Sequence, residues 1–210
     1  MTETSYPFAY RDYAAVLRKA FFGDPFFDTL SSGFPLNSDV DELLMQYLDY
    51  SLVEAKRYGE IYLTSNQALG ASVWIKPQSP ELASKQKNEK VAFLRSRLGE
   101  NTLDIYNAIV ESMSTQVHSV VPDHSWYLSI LGVSPDARGQ GLGYELVNGI
   151  LEKSDRQEQL TYLETFNPNN EKFYNRLGYQ TVATFFEPTI GVDYLVMTRS
   201  PNTLQQPGRE

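Results

Sequence analysis

Cysteine is absent from the 210 residues of the sequence, and histidine occurs only at positions 118 and 124. The lack of cysteine excludes disulfides, thiolate metal sites and a cysteine nucleophile. His118 and His124 have no partners at a spacing typical of metal ligands, so we expect no bound metal. A cysteine-free chain also fits an intracellular location.

Long apolar segments and an excess of positive charge are missing as well. No apolar run approaches the roughly 20 residues of a membrane span, and residues 1–10 lack the regions of a signal peptide. We therefore expect a cytoplasmic protein that does not associate with membranes. With 18 basic and 26 acidic residues the net charge is −8. This argues against nucleic-acid binding and suits a cationic partner.

The first part of the chain shows helical and then strand-like periodicity. Apolar spacing predicts a helix over 12–22, ended by Gly23-Asp24-Pro25, and a second helix that opens at a capping box of Ser38 and Asp41 and stops at Gly59. Alternating apolar residues predict a hairpin of 61–63 and 68–75. Two further helices, an exposed one over 81–98 and one from Thr102, form an insertion over about 81–120.

The second part predicts alternating strands and helices. The expected strands are 126–133, 160–165, 179–186 and 192–198, with helices from the glycine-rich segment to about 154 and over 169–177. We expect an α/β protein with a mixed sheet of about six to seven strands and helices on both faces. Residues 1–200 are predicted to form one domain, and 201–210 a flexible tail.

A glycine-rich segment, 134–143, lies between a predicted strand and a predicted helix. Glycines there allow several N–H groups to converge on a phosphate at the positive end of a helix. A P-loop is excluded because Tyr144-Glu145 stands where Lys-Ser or Lys-Thr is needed. A dinucleotide site, with Glu164 as the ribose acid, and a plain turn remain alternatives.

Two blocks of the sequence resemble the GNAT N-acetyltransferase superfamily. Arg138-x-x-Gly141-x-Gly143 matches its Q/R-x-x-G-x-G/A signature, and Leu163–Asn170 followed by Phe173–Tyr179 is similar to its second signature. The sequence over His124–Leu128 resembles that of the puromycin N-acetyltransferase branch. The resemblance implies the GNAT fold and acetyl-CoA as co-substrate. The residues it implies for cofactor binding are Leu131, Gly132, Val133, Arg138, Gly139, Gln140, Gly141, Leu142, Gly143 and Asn170.

The same resemblance implies the catalytic groups. Tyr174 corresponds to the general acid, since a phenol is protonated at neutral pH and can donate to a departing thiolate. The alternative is an aromatic side chain that only fills core. The resemblance also implies an oxyanion-binding bulge in the central strand, and Gly132 is our candidate for the bulged residue because interior strand glycines often mark bulges.

The general base is predicted at Glu164, acting through water. Asp123, His124 and Glu187 are alternatives, and Glu164 itself could instead bind the amine or pin backbone. Phe166 stands where the relatives usually have a small residue, and Tyr179 where phenylalanine is usual. Phe166 could therefore reshape the acceptor pocket and exclude puromycin.

The sequence thus predicts direct transfer of an acetyl group from acetyl-CoA to an amine, either a small molecule or a peptide. A non-catalytic acyl-CoA sensor on the same fold is the alternative, and a homodimer is left open.

Overall fold

The computed structural model describes residues 5–202. The strands are β1 (Glu60–Leu63), β2 (Gly70–Ile75), β3 (Trp126–Val133), β4 (Thr161–Thr165), β5 (Gln180–Glu187) and β6 (Val192–Arg199). The helices are α1 (Arg11–Ala20), α2 (Pro25–Ser31), α3 (Val40–Tyr58), α4 (Pro80–Phe93), α5 (Glu100–Val117), α6 (Leu142–Arg156) and α7 (Glu171–Arg176). Short 3₁₀ turns precede α6 and α7, and a π-helical turn, Leu94–Leu98, joins α4 to α5.

The six strands form one mixed sheet in the order β1-β2-β3-β4-β6-β5. Only β3 and β4 are parallel among these neighbours, and they are connected through α6. A parallel pair requires such a crossover, whereas the antiparallel hairpins need only short turns. The predicted α/β fold with a mixed sheet is confirmed.

Helices cover both faces of the sheet, as predicted. On one face α1 and α3 bury Leu17 and Leu48 against Val73 and Ile130. On the other face the apolar side of α6 packs Ile150 with neighbours from β3 and β4. A smaller cluster joins α5 to β6 on the first face. These layers leave the middle of the sheet buried on both sides.

Two helix starts differ from the sequence prediction. The N-cap of α3 is Asp39, whose carboxylate accepts the Glu42 N–H at 3.0 Å, and not Ser38. The predicted stop at Gly23-Asp24-Pro25 does end α1, but the same residues begin α2. Asp24 accepts the Phe26 N–H at 3.0 Å and Pro25 takes the first helical position. Asp-Pro is a strong start signal that the stop interpretation missed.

The two helices predicted within 81–120 are present as α4 and α5, but the first is only partly exposed. Lys90 and Phe93 of α4 are buried, as are Leu94 and Leu98 of the π-helical turn that follows. The prediction of one exposed helix over 81–98 was therefore wrong for its inner face. Of the predicted tail, 201–210, all but the first two residues lie outside the described part of the chain.

Within residues 5–202, none of the helices combines the length and the apolar character needed to span a bilayer.

Candidate active site

The central sheet opens between its two parallel strands. β3 and β4 pair at Trp126–Thr161, Tyr127–Tyr162 and Leu128–Leu163. Beyond Leu128, β3 continues to Val133 alongside β2 only, while β4 continues to Thr165 alongside β6. The two strands therefore diverge, and the second half of β3 presents a backbone edge to the opening.

A β-bulge controls which backbone groups face this opening. Val73 and Trp74 of β2 pair with Ile130 and Leu128, so Ser129 is the extra residue of β3. Before the bulge, the Trp126 N–H donates toward β4, to the Leu160 carbonyl. After it, the Ser134 N–H donates toward β2, to the Leu69 carbonyl. In a regular strand, the N–H groups of residues separated by an even number of positions point to the same side. Trp126 and Ser134 are such a pair, yet their N–H groups point to opposite sides, so the bulge reverses the direction of the N–H groups.

The reversal turns the N–H groups of Leu131 and Val133 toward the opening. The Ser134 N–H is directed to β2. N–H direction alternates along a strand, so those of Leu131 and Val133 are directed away from β2. These are two of the backbone positions predicted for cofactor binding. Their orientation supports that prediction.

Gly132 is not the bulged residue, and this prediction was wrong. Gly132 pairs regularly with Ala71. A Cβ built on Gly132 would lie 2.5 Å from Leu17 Cδ2 and 3.3 Å from Ala20 Cβ, both on α1. The glycine is needed because α1 crosses directly over the strand.

The glycine-rich loop that follows β3 is open to solvent. Gly139 and Gly141 adopt φ angles of 81° and 83°, and a Cβ on either would meet nothing within 4 Å. Gly141 is the N-cap of α6 and has no side chain to cover the first N–H groups of the helix. An accessible helix N-terminus of this kind favours an anion.

Other residues of the loop have distinct positions. The exposed Arg138 side chain donates from Nη2 to the Ala20 carbonyl at 3.3 Å, which holds it beside the end of α1. Gln140 is exposed, and Leu142 begins α6. A Cβ on Gly143 would lie 3.1 Å from the Phe173 ring. Gly143 therefore lets α6 approach α7, while the other loop residues remain available to a ligand.

A cleft of about 1050 Å³ passes through the opening and brings the two predicted catalytic residues together. Leu131, Glu164, Asn170 and Tyr174 all line it. Tyr174 packs on the α6 face of the sheet, in the cluster that includes Leu163. Glu164 follows Leu163 in β4, so its side chain points to the opposite face. The two groups thus approach the cleft from opposite sides.

Local structure fixes the position of Tyr174 in α7. The helix ends at Gly178, where φ is 91°, and the Tyr179 N–H donates back to the Tyr174 carbonyl at 3.1 Å. Such a glycine ending stops the helix sharply. Burial raises the pKa of the Tyr174 phenol, so the hydroxyl keeps its proton at neutral pH.

Burial also raises the pKa of Glu164, from 4.5 to about 7. A hydrogen bond from Tyr127 acts in the opposite direction by stabilising the carboxylate. Tyr127 is itself stacked on Tyr162, with ring centroids 4.7 Å apart. A carboxyl group with a pKa near 7 is suited to exchange a proton at neutral pH.

Comparison with known proteins agrees with this geometry. Residues 88–181 match the Acetyltransferase (GNAT) domain family. This segment contains β3, the glycine-rich loop, β4 and α7, which together form the opening. The chain therefore carries a GNAT acetyltransferase domain. This domain and the N-acetyltransferase relative described below support acyl transfer to an amine as its reaction class. The resemblance to the puromycin branch stays a prediction.

Individual relatives extend over nearly the whole chain. An uncharacterized N-acetyltransferase of Schizosaccharomyces pombe is 27% identical over 207 residues, which is 92% of this chain and 81% of the relative. A histone acetyltransferase HPA2 and related acetyltransferase from Corynebacterium glutamicum has 21% identity and a TM-score of 0.61, covering 96% of this chain and 97% of that one. Arylalkylamine N-acetyltransferase 2 from Aedes aegypti has 16% identity and a TM-score of 0.59, with 91% and 94% covered. These structures share the GNAT fold.

The remaining predicted residues of the GNAT site have clear positions. Asn170 lies beside the cleft, with Nδ2 donating to Thr165 Oγ1 at 3.3 Å. Among the described residues, the lining of the cleft includes none of the alternative bases Asp123, His124 and Glu187. Glu187 is fully buried and accepts the Ile190 N–H at 2.6 Å, which stabilises the turn between β5 and β6. Glu164 is the only one of the four candidate bases in the cleft.

Several cleft residues were not found from the sequence. Ser129, Tyr127 and Tyr47 line the cleft, as does the buried ion pair of Lys90 with Glu54. Tyr127 lies two residues from the bulged Ser129 and on the same face as Tyr162, and both relations depend on strand register that the sequence does not show. The ion pair joins α3 to α4 across 36 residues and has no local motif.

Proposed function

We propose that the protein transfers an acetyl group from acetyl-CoA to a primary amine by direct attack within a ternary complex. The observation that carries the proposal is the meeting of three kinds of group at one opening. These are the N–H groups of Leu131 and Val133, the phenol of Tyr174 and the carboxyl group of Glu164.

The cofactor fits the residues around the opening. The N-terminus of α6, with Gly139 and Gly141 free of neighbouring atoms, would hold the pyrophosphate, with Arg138 adding a charged contact. The outward N–H groups of Leu131 and Val133 would hold the acyl arm and donate hydrogen bonds to the carbonyl oxygen as negative charge develops on it. Bound acetyl-CoA supplies an activated acyl group as a thioester.

Two side chains move the protons. An alkylamine with a pKa near 10 arrives as an ammonium ion, and Glu164 removes one proton, directly or through water, to free its lone pair. The amine nitrogen then forms a bond to the carbonyl carbon and the carbon–sulfur bond breaks. Tyr174 donates its proton to the departing sulfur, and the second proton lost by the attached nitrogen restores the Tyr174 phenol through solvent, so that the products are an amide and a thiol.

The decisive experiment measures free thiol released from acetyl-CoA with a panel of amines. Amine-dependent thiol release, with the acetylated amine confirmed by mass spectrometry, supports the proposal. Tight binding of acetyl-CoA without turnover of any amine would instead identify a sensor on the GNAT fold.

A further inference from the structure

The acceptor side of the cleft is built largely by the helical insertion. On the face of the sheet that carries Glu164, residues of α4 and α5 complete the lining. These are Gln86, Lys90 and Val91 from α4, and Tyr106, Val110 and Met113 from α5. The insertion is therefore the part of the chain that shapes the space for the acceptor.

Aromatic rings form the walls of this space. Tyr127 stacks on Tyr162 next to Glu164. Farther from the sheet, Tyr47 contacts Phe27 at 6.0 Å and Tyr106 at 6.5 Å between ring centroids. All five rings line the cleft. Such walls favour an apolar or aromatic group, because burying one removes apolar surface from water and allows ring contacts.

A buried ion pair of Lys90 with Glu54 also lines this space. Lys90 Nζ lies 3.0 Å from Glu54 Oε2, and the two side chains are only 11% and 10% exposed. The ammonium group also lies 5.1 Å from the ring centroids of Tyr47 and Tyr50. Burial lowers the pKa of Lys90, but the facing tyrosines and Glu54 outweigh it and raise the pKa overall. Lys90 therefore remains a cation at neutral pH.

The other charged groups of the cleft do not offer a second ammonium ion a comparable partner. Glu54 is occupied by Lys90. Asp24 is used as the N-cap of α2, and desolvation raises the pKa of its carboxyl group. Lys87 and Glu111 lie on α4 and α5 and oppose each other in sign. Glu164 is the remaining carboxyl group next to the site of transfer.

We infer that the acceptor is a small monoamine with an apolar or aromatic tail, and that Lys90 excludes acceptors carrying a second ammonium group. The inference rests on the proposed function and names its substrate class. A monoamine places its ammonium group at Glu164 and its tail among the rings. A diamine of the same length has to bury its second cation among the rings without a carboxylate partner, because Lys90 already occupies Glu54.

Heptylamine and 1,6-diaminohexane are a matched pair, since they differ only by a terminal methyl or amino group. We expect kcat/KM from thiol release to be at least about tenfold higher for heptylamine, and higher still for 2-phenylethylamine. Equal or faster acetylation of the diamine would overturn the inference. So would turnover of peptide N-termini with no turnover of either alkylamine.

Substitutions of Lys90 test its role in the choice between the two amines. Lys90→Met keeps the length of the side chain, removes the charge and frees the Glu54 carboxylate, so the diamine should gain at least about tenfold relative to heptylamine. Lys85→Met is the control, because Lys85 is exposed on the same helix and its loss changes the net charge equally. If Lys90→Met does not fold, the double variant Glu54→Gln/Lys90→Met carries the test, with a smaller gain for the diamine. An unchanged preference in the folded variant would overturn the assignment to Lys90.

A binding measurement separates this inference from the proposed function. Calorimetry with protein saturated with coenzyme A compares the two amines without requiring chemistry. Tighter binding of heptylamine, lost in Lys90→Met, supports the inference even if no thiol is released. Equal binding of both amines overturns it even if acetyl transfer is observed.

Discussion

At the scale of single residues, Glu164 combines a useful position with a thermodynamic cost. Its pKa is raised to about 7 by burial, so a base at this position becomes active as the pH rises through neutrality. We expect kcat/KM of the wild-type protein to rise over about pH 6–8. Glu164→Gln should lower kcat/KM for amines, and the loss should shrink at higher pH as free amine forms unaided. A pH–rate profile of both proteins measures this.

Stability distinguishes a catalytic Glu164 from one that only supports its neighbours. The folded protein retains a proton that the unfolded chain releases between pH 4.5 and about 7. The free energy of unfolding therefore falls as the pH rises across that window. Glu164→Gln removes this penalty, so it should raise the melting temperature at pH 8 while activity drops. A lowered melting temperature with full activity would contradict the assignment.

Tyr174→Phe removes only the phenol oxygen and should leave the ring packing of α7 intact. We expect kcat to fall by about 100-fold, with little change in the affinity for acetyl-CoA. Tyr179→Phe is a suitable control because the Tyr179 hydroxyl bonds to Thr161, within the core and outside the cleft. A wild-type kcat in Tyr174→Phe would mean that another group protonates the thiolate.

Arg138→Glu tests the cofactor loop. Replacing an exposed cation beside the proposed pyrophosphate site by an anion should weaken acetyl-CoA binding by at least about tenfold. Lys85→Glu makes the same change of charge at an exposed position of α4 and should leave the affinity unaltered. Calorimetry of the two variants decides the matter, and equal affinities would remove Arg138 from the site.

The sequence predicted these residues unevenly, for a physical reason. Arg138, Gly141 and Tyr174 belong to segments whose local chemistry is visible in a few consecutive residues. Glu54 and Lys90 belong to different helices, and their meeting depends on how the helices pack. A contact of that kind leaves no periodicity or motif in the sequence.

At the scale of elements, β3 shows both what periodicity predicts and what it omits. Its bounds, Trp126–Val133, were predicted correctly because an aromatic and aliphatic run is typical of a buried strand. The bulge at Ser129 was not predicted, since it is defined by the register against β2. Gly132 was singled out in the sequence as a bulge residue. Glycine is required there because α1 passes close over the strand, and not because the strand is irregular.

The contact between β3 and α1 can be tested with Gly132→Ala. The added methyl group would lie 2.5 Å from Leu17 Cδ2, so α1 has to move. We expect a loss of about 1–3 kcal/mol in the free energy of unfolding, measured with denaturant. Gly149→Ala, at an exposed position of α6, is the matched control, because its Cβ would lie 3.6 Å from its nearest neighbour. The control should be neutral or slightly stabilising, and equal stability of both variants would contradict the argument.

At the scale of the whole molecule, the order of elements along the chain predicted the mixed sheet but not its opening. The helix between β3 and β4 permits their parallel pairing, and the β1-β2 and β5-β6 hairpins are antiparallel. The point at which β3 leaves β4 depends on how far each strand follows its other neighbour. That competition between β2 and β6 is settled only when the sheet is assembled.

The opening also divides the sheet into two three-stranded parts, β1-β2-β3 and β4-β6-β5, joined by the pairing of three residues on each side. A ligand that lies in the opening contacts both parts and restricts their movement relative to each other. We expect saturating coenzyme A to slow amide hydrogen exchange in β2 and in β6 together, including at positions of both strands that do not contact the ligand. Protection confined to one part would show that the parts move independently. Protection in both parts would mean that occupancy of the site reduces backbone flexibility in strands far from the place where acyl transfer occurs.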